Sequence, residues 1–191
     1  MQKVLSSAWF LLVLVVVIWS ANWPIMKIGL RSIDPAWFTV ARLLIAFIAI
    51  SILLKVIGRF KLPHKQDLPV VFGAGTVLEL TPWQILVALI IVVPMAWFGD
   101  TRPTIWSNEL VVILLYNGVL ATGLAQWASM RLTQLLPAVT VSLGFLLVPV
   151  AGVLLSTILL DEAFTVTLAI GMALIISGLL FQLNWQRFRS S

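Results

Sequence analysis

Long apolar stretches alternate with short polar connections along the whole chain. Six of these stretches are long enough to cross a hydrocarbon core of about 30 Å, which takes roughly 20 helical residues. The pattern predicts an all-α fold, a polytopic bundle of about six transmembrane helices. The predicted spans are residues 8–30, 36–57, 82–98, 109–130, 137–160 and 164–183.

The stretch "DLPVVFGAGTVLELTPWQ" begins like a seventh span but is interrupted by Glu79 and Pro82. Its apolar part, residues 68–77, would reach only about 15 Å as a helix, roughly half of the hydrocarbon core. The glycines Gly73 and Gly75 lack the third glycine of a dinucleotide-binding loop and the Gly-Lys-Ser/Thr of a P-loop. We therefore predict that this segment neither crosses the membrane nor binds a nucleotide.

The composition supports a membrane location. Of the 191 residues, 61% are hydrophobic and 10% are charged, whereas soluble domains are about 25% charged. The formal net charge is +5, but the basic residues are scattered between spans and form no face, so the expected partner is the lipid bilayer and not nucleic acid.

There is no cysteine and one histidine, His64, so no metal site and no cofactor are expected. No G-x-S-x-G or H-E-x-x-H motif occurs, and we predict no catalytic residues and no enzyme activity.

The positions of Lys and Arg predict the orientation, because basic residues in short loops are retained on the cytoplasmic side. With the N-terminus inside, eight basic residues are cytoplasmic and three are outside. An extra crossing at 68–77 would change this to six against five, which is no bias. We predict a multi-pass membrane protein with both termini cytoplasmic. The eight cytoplasmic residues are Lys3, Lys55, Arg59, Lys61, Lys65, Arg131, Arg187 and Arg189.

Polar residues interrupt the first span in "WSANWPIMKIGL". Pro24 lacks an amide hydrogen, so the carbonyl of Ser20 loses its helical partner and a kink is expected. Free backbone polarity at membrane depth is tolerated where it lines a cavity, and Asn22 adds two donors and an acceptor there. The alternative is that Ser20 itself satisfies the hydrogen-bonding groups that the kink leaves free.

Two cations lie within or near spans. A charge inside a span usually faces a bundle interior or a wet cavity, which makes Lys27 and Arg42 functional candidates. The alternative is snorkelling to the outer interface, where Asp34 is available as a partner. All seven carboxylates lie in loops or at span ends, which removes the buried acid of a proton relay. This distribution of carboxylates is compatible with transport driven by the solute's own gradient or by exchange.

The fourth span, "YNGVLATGLAQWASMR", carries a polar stripe. Thr122, Gln126 and Ser129 follow one another at spacings of four and three, so an α-helix would place them on one face. Tyr116 and Asn117 add polar groups earlier in the helix. Such a stripe either lines a solute path or forms hydrogen bonds between helices.

Several stretches resemble the EamA-type transporters of the drug/metabolite transporter superfamily. "WSANWPIMKIGL" resembles the family's opening pattern of Trp, small residue, Asn, aromatic residue and Lys, and "DPAWFTVARLLIA" resembles its second helix. The stretch from "LLPAVTVSLGF" to "IISGLL" is similar to its last two helices, although Asp161 stands where the family more often has Gly. The family positions matched there are Pro149, Glu162, Gly171 and Gly178.

The resemblance implies ten helices in two inverted five-helix repeats, four more than the six spans found here. It assigns residues 1–66 to the first two helices of the first repeat, 67–81 to a junction, and 82–191 to the last four helices of the second repeat. Removing an even number of helices preserves the orientation of everything downstream, which agrees with the charge count.

The function that the resemblance implies is secondary transport, as a permease or exporter, of a small metabolite or drug across a bacterial inner (plasma) membrane by alternating access. The expected partners are a small-molecule solute and the bilayer. Because most of the first repeat is missing, the alternative is a non-transporting remnant or a membrane interaction subunit, one that forms a homodimer so that two copies supply the missing walls. The residues predicted to line the substrate cavity are Trp19, Asn22, Trp23, Arg42, Asn117 and Gln126.

Overall fold

The computed structural model describes residues 2–72, 78–99 and 102–190, and all regular structure in these ranges is helical. A π-helical segment, Tyr116–Leu124, joins α5 to α6 without a break. The α-helices are α1 Gln2–Gly29, α2 Pro35–Val56, α3 Leu68–Phe72, α4 Thr81–Phe98, α5 Asn108–Leu115, α6 Ala125–Leu135, α7 Ala138–Phe145, α8 Leu147–Leu160 and α9 Val166–Ser190.

Five helical stretches are long and apolar enough to cross a membrane. A sixth apolar helix, Val166–Gln182, is shorter. The prediction of an all-α membrane bundle is confirmed, and the first five predicted spans coincide with the five long stretches to within a few residues. These stretches are Ser7–Gly29, Pro35–Val56, Thr81–Phe98, Asn108–Leu135 and Ala138–Leu160.

Short polar side chains fix where two of the helices begin. The Asp34 carboxylate accepts a hydrogen bond of 2.8 Å from the Ala36 amide, and Pro35 takes the first helical position of α2, where its missing amide hydrogen costs nothing. The Ser107 hydroxyl accepts in the same way from the amide of Leu110 at the start of α5. Asp34, named above as an available partner in the snorkelling alternative, is therefore the N-cap of α2.

The described residues fall into two compact units, of which the first contains residues up to 24 and from 132 onward. In this unit the Ser20 hydroxyl donates to the Val148 carbonyl at 3.2 Å. The Trp19 ring lies edge-on against Phe145, with ring centroids 5.2 Å apart. Helix α7 ends at Phe145 and α8 begins at Leu147, so the helix carrying Pro149 is interrupted just before the proline, as expected where an amide hydrogen is missing.

The second unit, residues 25–131, is organised around α2. One face of α2 packs on α4 in a cluster of buried apolar side chains, and another face packs on α5. The α4 cluster contains Val40, Ala46, Ile50, Leu54, Ile85, Leu89 and Ala96. The α5 cluster contains Ile33, Phe38, Leu110, Ile113 and Leu114.

The chain leaves α2 at one end of the second unit, and α4 begins at that same end. The Trp83 indole, at the start of α4, donates to the carbonyl of Lys61 at 2.9 Å, and Lys61 follows the end of α2. The Glu79 carboxylate forms ion pairs of 3.3 Å with both Arg59 and Lys61. In this connection the structure describes helix α3 over Leu68–Phe72, five residues or about 8 Å of helix. Residues 73–77 of the predicted non-crossing segment lie outside the described residues.

The opposite end of this unit is also held by loop contacts. The Ile105 amide donates to the Ser32 carbonyl at 2.8 Å, and the Arg102 guanidinium donates to the Leu30 carbonyl at 3.3 Å. The connection before α5 therefore lies beside the connection before α2. Helix α4 runs opposite to α2, and α5 starts at the same end as α2.

Candidate functional site

Helix α2 and the long helix 108–135 run in the same direction and approach each other closely at Gly118. A Cβ atom at Gly118 would lie 2.5 Å from Ile45 Cγ2 and 3.0 Å from the carbonyl oxygen of Arg42. Further along, a Cβ at Gly123 would lie 3.8 Å from Ile50. The contacts advance along both helices together, so the two backbones cross where glycine allows it.

The π-helical segment Tyr116–Leu124 occupies this crossing. Just beyond it, the amide of Ala125 donates to the carbonyl of Leu120, five residues earlier. A π-helix is rare, is usually a single turn, and often occurs at functional sites because its hydrogen bonds have an irregular register. Here it extends over 9 residues and contains both Asn117 and Gly118. The crossing therefore lies where the long helix departs from α-helical hydrogen bonding.

Asn117 is fully buried at this crossing, with 0% of its surface exposed. Its side-chain nitrogen donates to the carbonyl of Ile113 at 3.0 Å, whereas its Oδ1 atom is buried without a hydrogen-bond partner. Leaving a buried acceptor unsatisfied costs about 1–3 kcal/mol. Native structures seldom carry such a cost without a reason, so Oδ1 is a candidate ligand-binding atom.

Arg42 lies on the α2 side of the same crossing. Its side chain is partly buried, and its Nε atom is buried without a hydrogen-bond partner. Its backbone carbonyl faces Gly118, the neighbour of Asn117. The two helices thus each contribute one buried polar atom without a hydrogen-bond partner, Nε of Arg42 and Oδ1 of Asn117, and a solute-binding role for these atoms stays a prediction.

The polar stripe predicted on the fourth span takes a different form. The Ser129 hydroxyl donates to the Gln126 carbonyl at 2.8 Å, within its own helix. The spacing argument assumed 3.6 residues per turn, but the π-helical hydrogen bonds continue as far as Leu124 and change the register between Thr122 and Gln126. Gln126 is partly buried, and its role in a cavity stays a prediction.

The other three predicted residues belong to the first unit. Asn22 is partly buried, and its Oδ1 atom is buried without a hydrogen-bond partner. Trp23 is half exposed, and its indole ring lies 2.9 Å from the position a Cβ would take at Gly152. Trp19 packs on Phe145. The structure therefore places Trp19, Asn22 and Trp23 in one unit and Arg42, Asn117 and Gln126 in the other, and their solute-binding role stays a prediction.

Two features of the crossing were not anticipated from the sequence. Gly118 was not singled out, because its spacing of five residues from Gly123 does not match the four-residue spacing of small residues that indicates close helix approach. Ser51 has a buried hydroxyl oxygen without a hydrogen-bond partner and was not identified either. A serine in an apolar helix ordinarily forms a hydrogen bond with the backbone of its own helix, so the sequence alone did not indicate that the Ser51 hydroxyl lacks a partner.

Comparison with known proteins identifies one family. The sequence matches the EamA-like transporter family over residues 6–78 and again over residues 72–183. Comparison with curated proteins and with solved structures finds no significant match. The two matches together cover most of the chain, and they agree with the multi-pass helical fold and with the family resemblance of the polar motifs. Members of this family are membrane transporters of the drug/metabolite transporter type and not enzymes, and the chain belongs to the EamA-like transporter family.

Proposed function

We propose that the chain is a secondary transporter that moves a small metabolite or drug across a bacterial inner membrane by alternating access. The observation that carries the proposal is the fully buried Asn117, whose Oδ1 atom has no protein partner. A solute that donates a hydrogen bond to this oxygen would recover the cost of its burial. The family match supports transport as the activity.

The surroundings of Asn117 support the same interpretation. Arg42 supplies a buried donor atom without a partner on the neighbouring helix, and the π-helical segment departs from α-helical hydrogen bonding, a feature that is frequent at functional sites. Alternating access needs an element with two arrangements around one site. A change between π and α hydrogen bonding around Asn117 would provide that element.

The charges argue for a driving force other than a proton relay through acidic side chains. In the spans that the structure describes, no carboxylate lies at mid-helix: Asp34 caps α2, Glu109 is in the first turn of α5, and Asp161 and Glu162 follow α8. Proton-coupled carriers ordinarily use a buried Asp, Glu or His for this purpose. The proposed mechanism is therefore uniport down the solute's own gradient, or exchange.

The test is release of solute from proteoliposomes. Liposomes are loaded with a defined mixture of labelled amino acids, organic acids, sugars and nucleosides, and each solute outside is measured by mass spectrometry over time. The purified chain should release at least one class faster than protein-free liposomes do. Asn117→Ala should slow that release by roughly tenfold, the effect of losing about 1.4 kcal/mol from a buried hydrogen bond.

Ser129→Ala is the matched control, because Ser129 is a similarly buried polar residue of the same long helix whose hydroxyl bonds within that helix. It should leave the release rate nearly unchanged. If every solute leaks at the rate of protein-free liposomes, the transport proposal is wrong. If both variants slow release equally, Asn117 has no special role in it.

We also propose that both termini are cytoplasmic. The basic residues that follow α2, Arg59, Lys61 and Lys65, lie at the end of the second unit opposite to Arg31 and Arg102, which supports the positive-inside assignment. Periplasm-active reporters fused after Lys65 and after Arg131 should be silent, and one fused after Arg102 should be active. The reverse pattern would show the inverted orientation.

A further inference from the structure

Arg42 is a cation inside a membrane span, and its charge has no counter-ion in the part of the chain that the structure describes. It follows the start of α2 at Pro35 by seven residues, about 10 Å along the helix axis. Its side chain is partly buried, and its Nε atom has no hydrogen-bond partner. Charged side chains inside spans ordinarily pair with one another or with backbone carbonyls, so the charge of Arg42 calls for a partner from outside the described chain.

The described carboxylates of the second unit have other roles. Asp34 and Asp67 each accept a hydrogen bond from a nearby backbone amide, and Glu79 forms ion pairs with two cations of the loop after α2. Glu109 is exposed in the first turn of α5, where the helix dipole stabilises a negative charge. None of these four carboxylates neutralises Arg42, so an anion that binds there does not have to displace one of them.

Arg42 lies on the face of α2 that meets the long helix 108–135. Ile45, three residues later and on the same face, meets Gly118, where an added Cβ would lie 2.5 Å from the Ile45 Cγ2 atom and 3.0 Å from the Arg42 carbonyl oxygen. Asn117, with its unpartnered Oδ1 atom, is the residue before Gly118. Arg42 and Asn117 therefore belong to facing helices and lie within about one helical turn, roughly 5 Å, of each other along the bundle.

We propose that Arg42 selects the solute, and that the solute is a small organic anion whose carboxylate or phosphate group pairs with the guanidinium. The inference rests on the proposed function and names the substrate class of the same site. A guanidinium presents its N–H donors in a planar fork that fits two oxygens of a carboxylate or a phosphate. The anion also carries an O–H or N–H group, which donates to the Oδ1 atom of Asn117. A neutral or cationic solute would leave the charge of Arg42 unbalanced, so the site discriminates against it.

The first measurement compares anions with neutral solutes of similar shape in the proteoliposome release assay. The loaded mixture pairs gluconate with sorbitol, malate with malamide, and glucose 6-phosphate with glucose, beside the solutes named above. The solutes that the wild-type chain releases fastest should be anions. Arg42→Gln should slow their release roughly tenfold to a hundredfold, the effect of losing a hydrogen bond to a charged group, and Arg42→Lys, which keeps the charge, should slow it less. Arg31→Gln removes an exposed guanidinium just before α2 and should leave the release unchanged.

The second measurement is thermal unfolding in detergent, which does not depend on transport. Each sodium salt and its neutral counterpart are added to the wild-type chain at equal ionic strength. The preferred anion, at about a hundred times its Kd, should raise Tm by roughly 5–10 °C, while its neutral counterpart should not, and Arg42→Gln should not respond to either. Without solute, Arg42→Gln should melt at or above the wild type, because it removes a charge that has no partner.

The outcomes separate this inference from the transport proposal. If the released solutes are neutral or cationic, or if Arg42→Gln and Arg31→Gln release anions equally, the substrate class is wrong while transport stands. If no solute is released, transport is wrong, and a wild-type Tm that no anion raises overturns the anion site as well. An Arg42→Gln chain that melts below the wild type without solute would show that the arginine is held by a structural partner or by lipid phosphate, which also overturns the inference. The wild-type Tm series decides the matter even where Arg42→Gln does not fold.

Discussion

Replacing Gly118 by alanine should push α2 and the π-helical segment apart at the crossing that carries Arg42 and Asn117. The added Cβ would lie 2.5 and 2.6 Å from two carbon atoms of Ile45 and 3.0 Å from the carbonyl oxygen of Arg42. The backbone oxygen and the Ile45 Cβ belong to α2 itself and cannot turn away as a flexible side-chain end would. One of the helices must therefore move.

Gly123→Ala is the matched comparison, five residues further along the same segment. Its Cβ would lie 3.4 Å from the Gly118 carbonyl oxygen and 3.8 Å from Ile50, which are ordinary contacts. Both substitutions gain about 0.5–1 kcal/mol from the reduced backbone freedom of alanine. Only Gly118→Ala adds an overpacking cost of about 1–3 kcal/mol, so the difference between the two variants isolates that cost.

Thermal unfolding in detergent, followed by circular dichroism, measures the difference. For a chain of this length each 1 kcal/mol shifts Tm by about 2–4 °C, so Gly118→Ala should melt about 2–12 °C below Gly123→Ala. Gly123→Ala should melt at or slightly above the wild type. If Gly118→Ala is as stable as Gly123→Ala, the helices do not approach as closely as described, and the site built on their crossing is wrong.

Three further predictions concern the rest of the chain and use the same melting assay. Ser20→Ala should lower Tm by about 2–4 °C, because it leaves the buried Val148 carbonyl without its hydroxyl donor, a loss of about 1 kcal/mol; an unchanged Tm would show that this bond contributes nothing. Gly152→Ala should destabilise because the new Cβ would lie 2.9 Å from a tryptophan ring, whereas Gly171→Ala, with nothing within 4 Å, should not; equal Tm values would contradict the packing. Asp34→Ala should cost about 1 kcal/mol by removing the N-cap of α2, and Asp34→Ser should restore most of it; failure of serine to rescue would argue against capping.

The membrane-spanning helices could be predicted because the length of an apolar run decides whether it can cross a bilayer. Even the return of the chain between α2 and α4 could be predicted from length, since the apolar part of this stretch, residues 68–77, has ten residues; in the structure Glu79 and Trp83 bond back to the loop after α2. The start of α2 was equally readable, because Asp followed by Pro is a strong helix-initiation signal. The sequence analysis named Asp34 only as an available partner for a cation, and the carboxylate's contact with the backbone amide of Ala36 is known from the structure.

The site was less predictable because hydrogen-bond register leaves no trace in an apolar pattern. The few polar residues of the fourth span do not reveal where its hydrogen bonds have π-helical register, so the alignment of Thr122, Gln126 and Ser129 was predicted with α-helical spacing. Polar residues inside membrane helices serve either as packing contacts or as binding groups. Burial and partner atoms distinguish these roles: Ser129 bonds within its helix, while the Oδ1 atom of Asn117 has no partner.

Exchange across a proteoliposome membrane tests the central claim, secondary transport by alternating access, most directly. Liposomes containing the chain are loaded with the labelled solute that it releases fastest, and the same unlabelled solute is then added outside at increasing concentration. An alternating-access carrier returns loaded, so release of label should accelerate and then saturate as the outside concentration rises. A release rate that is proportional to the loaded solute concentration and does not change with the outside solute would indicate a pore. A release rate no higher than that of protein-free liposomes would contradict transport by this chain altogether.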